Sequence, residues 1–198
     1  MVCTTGYMAR SPLAVLALLA ACSLPPIQYR AEKEAHWEAT TASELSGQLI
    51  TGDGPRTLAE AKGRVVIVDF WATFCDPCER SFPRYQALAE RFGDSLAIIA
   101  VSLDDATGVK KGAVELFAQR TGAKFPLLWD QDGAMKRAYG PPSLPTSYVI
   151  DQLGKIAHVH VKYEAGDVDV IARAVEDLLA LAPAKPRNAS PQRVPATP

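Results

Sequence analysis

The chain has 198 residues, of which 48% are hydrophobic and 22% are charged, so its composition is that of an ordinary globular protein. A formal net charge of −1 gives no support to a nucleic-acid partner or to a strongly acidic surface. The length accommodates one domain with tails. The sequence contains no phosphate-binding loop, dinucleotide-binding glycine pattern or GxSxG motif, so none of these site types is predicted.

Residues 1–21 have the pattern of an export signal. Arg10 precedes the apolar run LAVLALLAA at 13–21, which is too short to span a bilayer as a stable helix. The small residues directly before Cys22 resemble a bacterial lipoprotein signal, in which the cysteine is lipidated and becomes the mature N-terminus. The alternative is an ordinary signal peptide whose cleavage region precedes Cys22. In the lipoprotein interpretation, Ser23 implies release to the outer membrane.

The chain has four cysteines, and their positions matter more than their number. If Cys22 carries lipid, Cys3 is removed with the signal, and Cys75 and Cys78 are the free thiols that are left, as expected of a redox pair. The predicted divisions of the chain are a signal peptide at 1–21, a tether at 22–42, a domain at 43–182 and a disordered Pro-rich tail at 183–198.

The stretch at 65–82 carries the most informative motif, with Cys75 and Cys78 at CxxC spacing. The β-branched run Val65–Val68 predicts a strand buried on both faces, and apolar residues at helical spacing predict a helix as far as Phe92. Cys75 should therefore lie just before or on the first helical turn, where unpaired N–H groups and the helix dipole favour a thiolate. Cys75 is then the nucleophile toward a partner disulfide, and Cys78, one turn deeper, resolves the mixed disulfide.

Two other interpretations of the CxxC pair have less support. Half of a zinc site needs two further ligands, and the sequence has no second CxxC and only three histidines. A structural disulfide across so short a loop would restrict the unfolded chain little. His158 and His160 share one face of a predicted strand, which is a possible metal site. An exposed edge-strand face is the preferred interpretation, and no metal site is predicted.

The motif resembles that of the thioredoxin superfamily in the order of its parts: a strand, Asp69-Phe70-Trp71-Ala72, two residues, Cys-x-Pro-Cys and a helix. With Phe82-Pro83 and the distant Leu144-Pro145-Thr146, the chain resembles the bacterial TlpA/ResA-type branch. Members of that branch are membrane-tethered thiol–disulfide oxidoreductases outside the cytoplasm. The resemblance extends over about 43–180 and implies an α/β thioredoxin-like fold, with a mixed central β-sheet flanked by helices on both faces. It departs at Phe74, where a second tryptophan is usual.

The resemblance assigns catalytic roles to two residues besides the cysteines. Asp69, where TlpA-like proteins often have asparagine, becomes the proton acceptor for Cys78 as it attacks the mixed disulfide. The alternative is a partly exposed carboxylate at a strand end. Pro145 becomes a cis proline packed against the disulfide, which leaves neighbouring backbone groups free to pair with a substrate strand. The alternative is an ordinary trans proline in a turn.

Six further residues are assigned to the substrate-binding surface. They are Trp71, Phe74, Asp76, Pro77, Leu144 and Thr146. The two aromatic side chains are expected to shield the rim of the site, and the proline to stiffen the loop. The carboxylate of Asp76 should oppose thiolate formation at Cys75 and raise its pKa, which favours a reductant over a strong oxidant.

The other predicted elements follow from short apolar runs and helical periodicity. Strands are predicted at Leu96–Val101, Phe125–Leu128, Thr146–Asp151 and Lys155–Lys162, and helices at Val109–Arg120, at Ala134–Tyr139 and from near Asp167. The resemblance adds a short hairpin within 36–49, before the central strand.

These features predict a thiol–disulfide oxidoreductase that is lipid-anchored on the periplasmic side of the cell envelope. By resemblance, its partners are exported proteins with disulfides, such as apocytochromes c or copper-site proteins, and a membrane thiol donor of electrons. The Cys75–Cys78 disulfide is its redox group, and no separate cofactor is expected. One alternative is a peroxide reductase, although Thr73 does not match the usual Thr-x-x-Cys context. The other is a copper metallochaperone, although such proteins tend to have a longer cysteine spacing.

Overall fold

A computed structural model describes residues 40–105, 107–109, 111–164 and 166–181 of the chain. The predicted signal peptide, Cys22, most of the predicted tether and the Pro-rich tail lie outside the described residues. Within the described ranges, no helix combines the length and apolar character needed to cross a membrane.

A six-stranded mixed sheet forms the centre of the fold, in the order β1-β4-β3-β2-β5-β6. Its strands are β1 (Gln48–Thr51), β2 (Val65–Trp71), β3 (Leu96–Ser102), β4 (Leu127–Trp129), β5 (Thr146–Ile150) and β6 (Ile156–Val161). Strands β2, β3 and β4 are parallel, whereas β5 is antiparallel to β2. The two edge strands, β1 and β6, are antiparallel to β4 and β5.

The two central strands are buried along their whole length, as their apolar sequences predict. β2 extends three residues beyond the predicted Val65–Val68 run and therefore includes Asp69 and Trp71. Because side chains alternate between the faces of a strand, these two residues point to the same face of the sheet.

Helices cover both faces of the sheet, which confirms the predicted architecture. They are α1 (Asp76–Phe92), α2 (Lys111–Thr121), α3 (Ala134–Tyr139) and α4 (Asp167–Leu181), with a 3₁₀ turn at Gly93–Ser95. Buried residues of α1, α2 and α4 form one core cluster with the face of the sheet to which Asp69 and Trp71 point. Buried residues of α3 pack on the opposite face, together with Ala42, Leu45 and Ala61.

The hairpin expected before the central strand is not formed by the described part of its segment. Residues 40–51 instead give the single strand β1, which pairs with β4, and an isolated bridge between Thr41 and Lys155. The predicted strand Phe125–Leu128 is also displaced, because β4 begins only after Pro126 and includes Trp129.

One end of the sheet collects the elements of the predicted site. β2 and β3 end there in register, with Trp71 beside Ser102. β5 begins there, with Thr146 beside Phe70. Since α1 starts directly after the end of β2, the CxxC motif and the proline before β5 are brought to the same end of the sheet.

Candidate active site

The cysteine pair lies where the sequence predicts, at the start of α1. Cys75 is the N-cap residue and forms a disulfide with Cys78, with the two Cα atoms 5.3 Å apart. Cys75 keeps 6% of its surface exposed, whereas Cys78 is fully buried. The backbone N–H of Cys78 points to Sγ of Cys75 at 3.3 Å. A hydrogen bond from that N–H would stabilise a thiolate on Cys75.

The surface around the disulfide is mixed in polarity. Phe74 is 75% exposed, an unusual position for a large aromatic side chain. Asp76 is exposed in the first turn of α1, and Pro77 next to it is partly buried. These three residues adjoin Cys75 along the sequence, and their contact with a substrate stays a prediction.

The loop before β5 has the backbone form that the resemblance implies. The Leu144–Pro145 peptide bond is cis, and Pro145 is buried. The carbonyl of Pro145 accepts a hydrogen bond from the N–H of Lys162 at 2.8 Å, which joins this loop to the end of β6. Leu144 is partly buried and packs against both core clusters.

Two residues assigned to the substrate surface are in the core. Trp71 is fully buried, and its ring stacks on Phe117 with the centroids 4.3 Å apart, so it does not lie on the surface to which the sequence assigned it. Thr146 is also buried, and its hydroxyl donates to the carbonyl of Ser143 at 2.7 Å. Both residues belong to interior strands of the sheet, Trp71 to β2 and Thr146 to β5.

Asp69 is fully buried, which excludes the alternative of a partly exposed strand-end carboxylate. Oδ1 accepts a hydrogen bond from the hydroxyl of Ser147 at 2.6 Å, and Tyr85 OH lies 2.7 Å from the same Ser147 oxygen. Oδ2 is buried with no hydrogen-bond partner among the described residues. Burial raises the pKa of Asp69 to about 7, although the Ser147 and Tyr85 hydroxyls act in the opposite direction. A carboxyl with this pKa can exchange a proton near neutral pH.

Sequence reasoning did not assign Tyr85 or Ser147 to the site. Two weak signals were present. Tyr85 follows Cys78 by two helical turns, so both fall on the buried face of α1. Ser147 is a small polar residue within a fully buried strand, and the register places it directly beside Asp69.

A second buried carboxylate, Asp104, supports the loop that carries the cysteines. It accepts hydrogen bonds from the N–H and hydroxyl of Thr73, the latter at 2.7 Å, and from the hydroxyl of Ser102 at 2.7 Å. Its own carbonyl accepts from the indole N–H of Trp129. Sequence reasoning did not identify this contact between Asp104 and Thr73.

The prediction of an exposed histidine face on β6 is wrong for His160. Only 6% of His160 is exposed, and its Nε2 lies 3.0 Å from Oδ2 of Asp167, the first residue of α4. The rings of His158 and His160 stack with centroids 6.3 Å apart. The start of α4 covers this face of the edge strand. Among the described residues, no group of three or more His, Cys, Asp or Glu side chains is placed to hold a metal ion.

Comparison with known families places the fold and the cysteine pair in context. A family model described as the AhpC/TSA family matches residues 39–159, which is more than half of the chain. The chain belongs to the AhpC/TSA family. The match includes both cysteines, Asp69 and the cis proline.

Relatives of this AhpC/TSA family member carry consistent names. It is 35% identical over 124 residues to the thioredoxin-like protein YneN of Bacillus subtilis, covering 63% of this chain and 71% of the relative. It is 34% identical over 129 residues to the thiol-disulfide oxidoreductase ResA of Geobacillus thermodenitrificans, covering 65% and 71%. A crystal structure of a putative thiol:disulfide interchange protein DsbE from Chlorobium tepidum matches with a TM-score of 0.61 and 28% identity, over 72% of this chain and 99% of that one.

These similarities confirm two predictions from the sequence. The fold is thioredoxin-like, and the AhpC/TSA family member is a thiol–disulfide oxidoreductase whose redox group is the Cys75–Cys78 pair. The direction of electron flow, the substrate proteins and the lipid anchor are finer questions, which are addressed next.

Proposed function

We propose that this protein reduces disulfides in exported proteins from the periplasmic side of the cell envelope, and that a membrane thiol donor returns it to the dithiol form. The observation that carries the proposal is the asymmetry of the pair. Cys75 reaches the surface at the helix N-cap, whereas Cys78 is sealed beneath it. An attacking sulfur that a substrate can reach and a resolving sulfur buried beneath it are what two-step thiol–disulfide exchange requires.

In the first step, the thiolate of Cys75 attacks a sulfur of the substrate disulfide. A Cys75–substrate disulfide forms, and the other substrate sulfur leaves as a thiolate. In the second step, Cys78 loses its proton to Asp69 and attacks Sγ of Cys75. The Cys75–Cys78 disulfide forms, the substrate sulfur leaves, and the substrate has gained the two electrons that the cysteine pair has lost.

The reducing direction is supported by the charge next to the nucleophile. The exposed carboxylate of Asp76 directly follows Cys75 and opposes the negative charge of its thiolate, against the effect of the helix N-terminus. A less stable thiolate makes the dithiol a better reductant, since strong oxidants depend on a very stable thiolate.

The location and partners in this proposal come from the sequence. The lipoprotein-like signal and Cys22 support a lipid anchor, with Ser23 favouring the outer membrane. The resemblance to the TlpA/ResA-type branch supports apocytochromes c or copper-site proteins as substrates. The names of the relatives, thioredoxin-like protein YneN and thiol-disulfide oxidoreductase ResA, agree with thiol–disulfide exchange but specify neither its direction nor a substrate.

The reduction potential of the Cys75–Cys78 pair tests the direction. We expect a value near that of thioredoxin, about −270 mV, when the purified protein is equilibrated in thiol redox buffers and read by mass spectrometry. A value near that of strong periplasmic oxidants, about −120 mV, would show an oxidase and contradict the proposal.

The roles of the two cysteines are tested by trapping. Cys78→Ser should accumulate a mixed disulfide between Cys75 and a substrate protein that carries a disulfide, because resolution is blocked. Cys75→Ser is the matched control and should trap none. Turnover of hydrogen peroxide by the reduced protein, without a substrate disulfide, would instead indicate the peroxide reductase alternative.

A further inference from the structure

A chain of buried hydroxyl groups ends on the carboxyl group of Asp69. Its members come from three separate elements, Asp69 from β2, Ser147 from β5 and Tyr85 from α1. All three are buried; the Ser147 oxygen lies 2.6 Å from Oδ1 of Asp69 and 2.7 Å from the Tyr85 oxygen. Buried polar groups of this kind are costly unless they are paired, so their close pairing calls for a physical explanation.

The hydrogen bonds in this series all donate in one direction, from Tyr85 through Ser147 to Asp69. Ser147 has a single hydroxyl proton, which it donates to Oδ1 of Asp69. Its oxygen is then free to accept, so the hydroxyl of Tyr85 is the donor in the contact between them. Hydrogen bonds in such a sequence polarise one another, and both links favour the ionised carboxyl group.

The two carboxyl oxygens of Asp69 are therefore not equivalent. Oδ1 is held as an acceptor by Ser147, whereas Oδ2 is buried and has no hydrogen-bond partner among the described residues. Cys78 and Tyr85 lie in the core cluster on the same face of the sheet as Asp69. Oδ2 is thus the oxygen left to take a proton from this face.

We propose that Tyr85 and Ser147 are positioning residues for the resolving step, whose hydroxyls hold Oδ1 of Asp69 as an acceptor and leave Oδ2 to take the proton of Cys78. This inference rests on the proposed function, since it concerns the second step of the exchange. In that step the Cys78 proton moves to Oδ2, the new S–S bond forms to Cys75, and the bond from Cys75 to the substrate breaks. The Asp69 proton returns to solvent before the next cycle.

Titratable groups from several elements lie near Asp69, Ser147 and Tyr85. Tyr85 and Cys78 of α1 and the N-cap residue Cys75 lie on this side, and Tyr163, after β6, acts electrostatically on Tyr85. β3 places Ala100 beside Asp69. β6 places His160 opposite Ser147, and that histidine is paired with Asp167 of α4.

The test compares the pH dependence of the resolving rate in the full-length wild type, Ser147→Ala and Tyr85→Phe. The rate is followed after Cys75 is loaded with a mixed disulfide. In Ser147→Ala, which removes the hydroxyl that donates to Asp69, we expect the midpoint of the pH profile of the resolving rate to move upward by about one pH unit. The shift should be smaller in Tyr85→Phe, which removes the hydroxyl that donates to Ser147. Tyr85→Phe is nearly isosteric, so it should keep the core intact.

Tyr148→Phe is the matched control. Tyr148 is also fully buried, and its hydroxyl donates to the carbonyl of Tyr139 at 2.8 Å, but it lies on the opposite face of the sheet. It should leave the midpoint where it is in the wild type, although it loses a hydrogen bond of similar length. A midpoint that moves as far in Tyr148→Phe as in Tyr85→Phe would overturn the proposal.

A second measurement does not depend on activity. The side-chain carboxyl carbon of Asp69 is titrated by NMR in the oxidised protein, where we expect the same order of upward shifts. If the wild type does not reduce disulfides, the proposed function fails. If it does, and neither the midpoint nor the Asp69 titration moves in Ser147→Ala and Tyr85→Phe, the positioning role alone is wrong.

Discussion

At the scale of single residues, the site contains a carboxyl group in an unfavourable position. Asp69 lies in the middle of the sheet, where an ionised group loses most of its hydration. Two hydroxyl groups offset part of this cost, but its pKa still stands at about 7, against 3.8 for an ordinary aspartate. The protein therefore retains a destabilising group, as active sites often do.

Replacing Asp69 should make this cost measurable. Between pH 4 and 7 the folded protein keeps a proton that the unfolded chain has lost, so stability falls as the pH rises through this range and is constant above it. Asp69→Asn has no such loss. Its stability relative to the wild type should increase by about 2–3 kcal/mol between pH 5 and pH 8, measured by urea unfolding of the oxidised proteins. Asp94→Asn, at an exposed aspartate, should show no such increase.

A second residue-scale prediction concerns backbone strain. Lys162 has φ of 71°, and it is the single non-glycine residue with positive φ among the described residues. Lys162→Gly should stabilise the fold by about 0.5–1 kcal/mol, because glycine adopts this conformation without a Cβ clash. Lys155→Gly, at an exposed lysine without positive φ, should destabilise it instead. The prediction would be contradicted if the thermal unfolding temperatures of the two variants changed in the same direction.

At the scale of elements, the loop between β2 and α1 is held by the end of β3. The carboxylate of Asp104 accepts hydrogen bonds from both the N–H and the hydroxyl of Thr73, two residues before Cys75. The loop can then present Cys75 at the helix N-cap while Trp71 stays in the core. The loop that leads to Cys75 is thus held by a contact across 31 positions of sequence.

Asp104→Ala should loosen this loop. Three hydrogen bonds, from Thr73 and Ser102, lose their acceptor in a buried site, so we expect a loss of about 2–4 kcal/mol in stability. Amide hydrogen exchange at Thr73 should be faster. Asp105→Ala, at the exposed neighbouring aspartate, is the control and should leave that amide protected. Unchanged protection of Thr73 in Asp104→Ala would mean that Asp104 does not hold the loop.

At the scale of the whole molecule, both ends of the sheet expose a large apolar side chain, but only one end carries the disulfide. The end with the disulfide exposes Phe74, and the opposite end exposes Leu153 in the turn between β5 and β6. Both are large apolar side chains, but only Phe74 lies beside a reactive group. This contrast provides a test of the substrate surface.

Phe74→Ser should weaken the capture of a folded protein substrate. Losing the burial of one aromatic side chain corresponds to about a tenfold rise in KM, with the reduction potential unchanged. A small disulfide such as oxidised glutathione should be affected much less. Leu153→Ser, at a leucine that is 84% exposed, is the matched control. An equal rise in KM for both variants would mean that Phe74 has no special part in binding.

Much of the fold was predictable because its signals are local. The apolar runs of β2 and β3, the periodicity of α1 and the span of α3 each depend on fewer than about 20 consecutive residues. The position of Cys75 at the helix start was equally accessible, since the strand and the helix on either side constrain it. Boundaries were less secure, as the displaced β4 shows.

The errors and omissions concern contacts between distant segments. His160 is buried because α4 returns over β6, and Trp71 is buried because α2 places Phe117 on its ring. An alternating pattern identifies the face of a strand but not what covers that face. The hairpin expected before β2 likewise gave way to β1, because its strand pairs with β4.

The amino-acid sequence by itself determined the reactive pair, its place at a helix N-terminus and the buried strand that leads into it, because these depend on side-chain types at short spacing. Only the tertiary structure decided which groups meet Asp69. Tyr85 and Ser147 are 62 positions apart, and the sheet register and the packing of α1 bring their oxygens together. A hydrogen bond requires positions defined to a few tenths of an ångström, and that precision comes from the packed sheet and helices rather than from any local pattern.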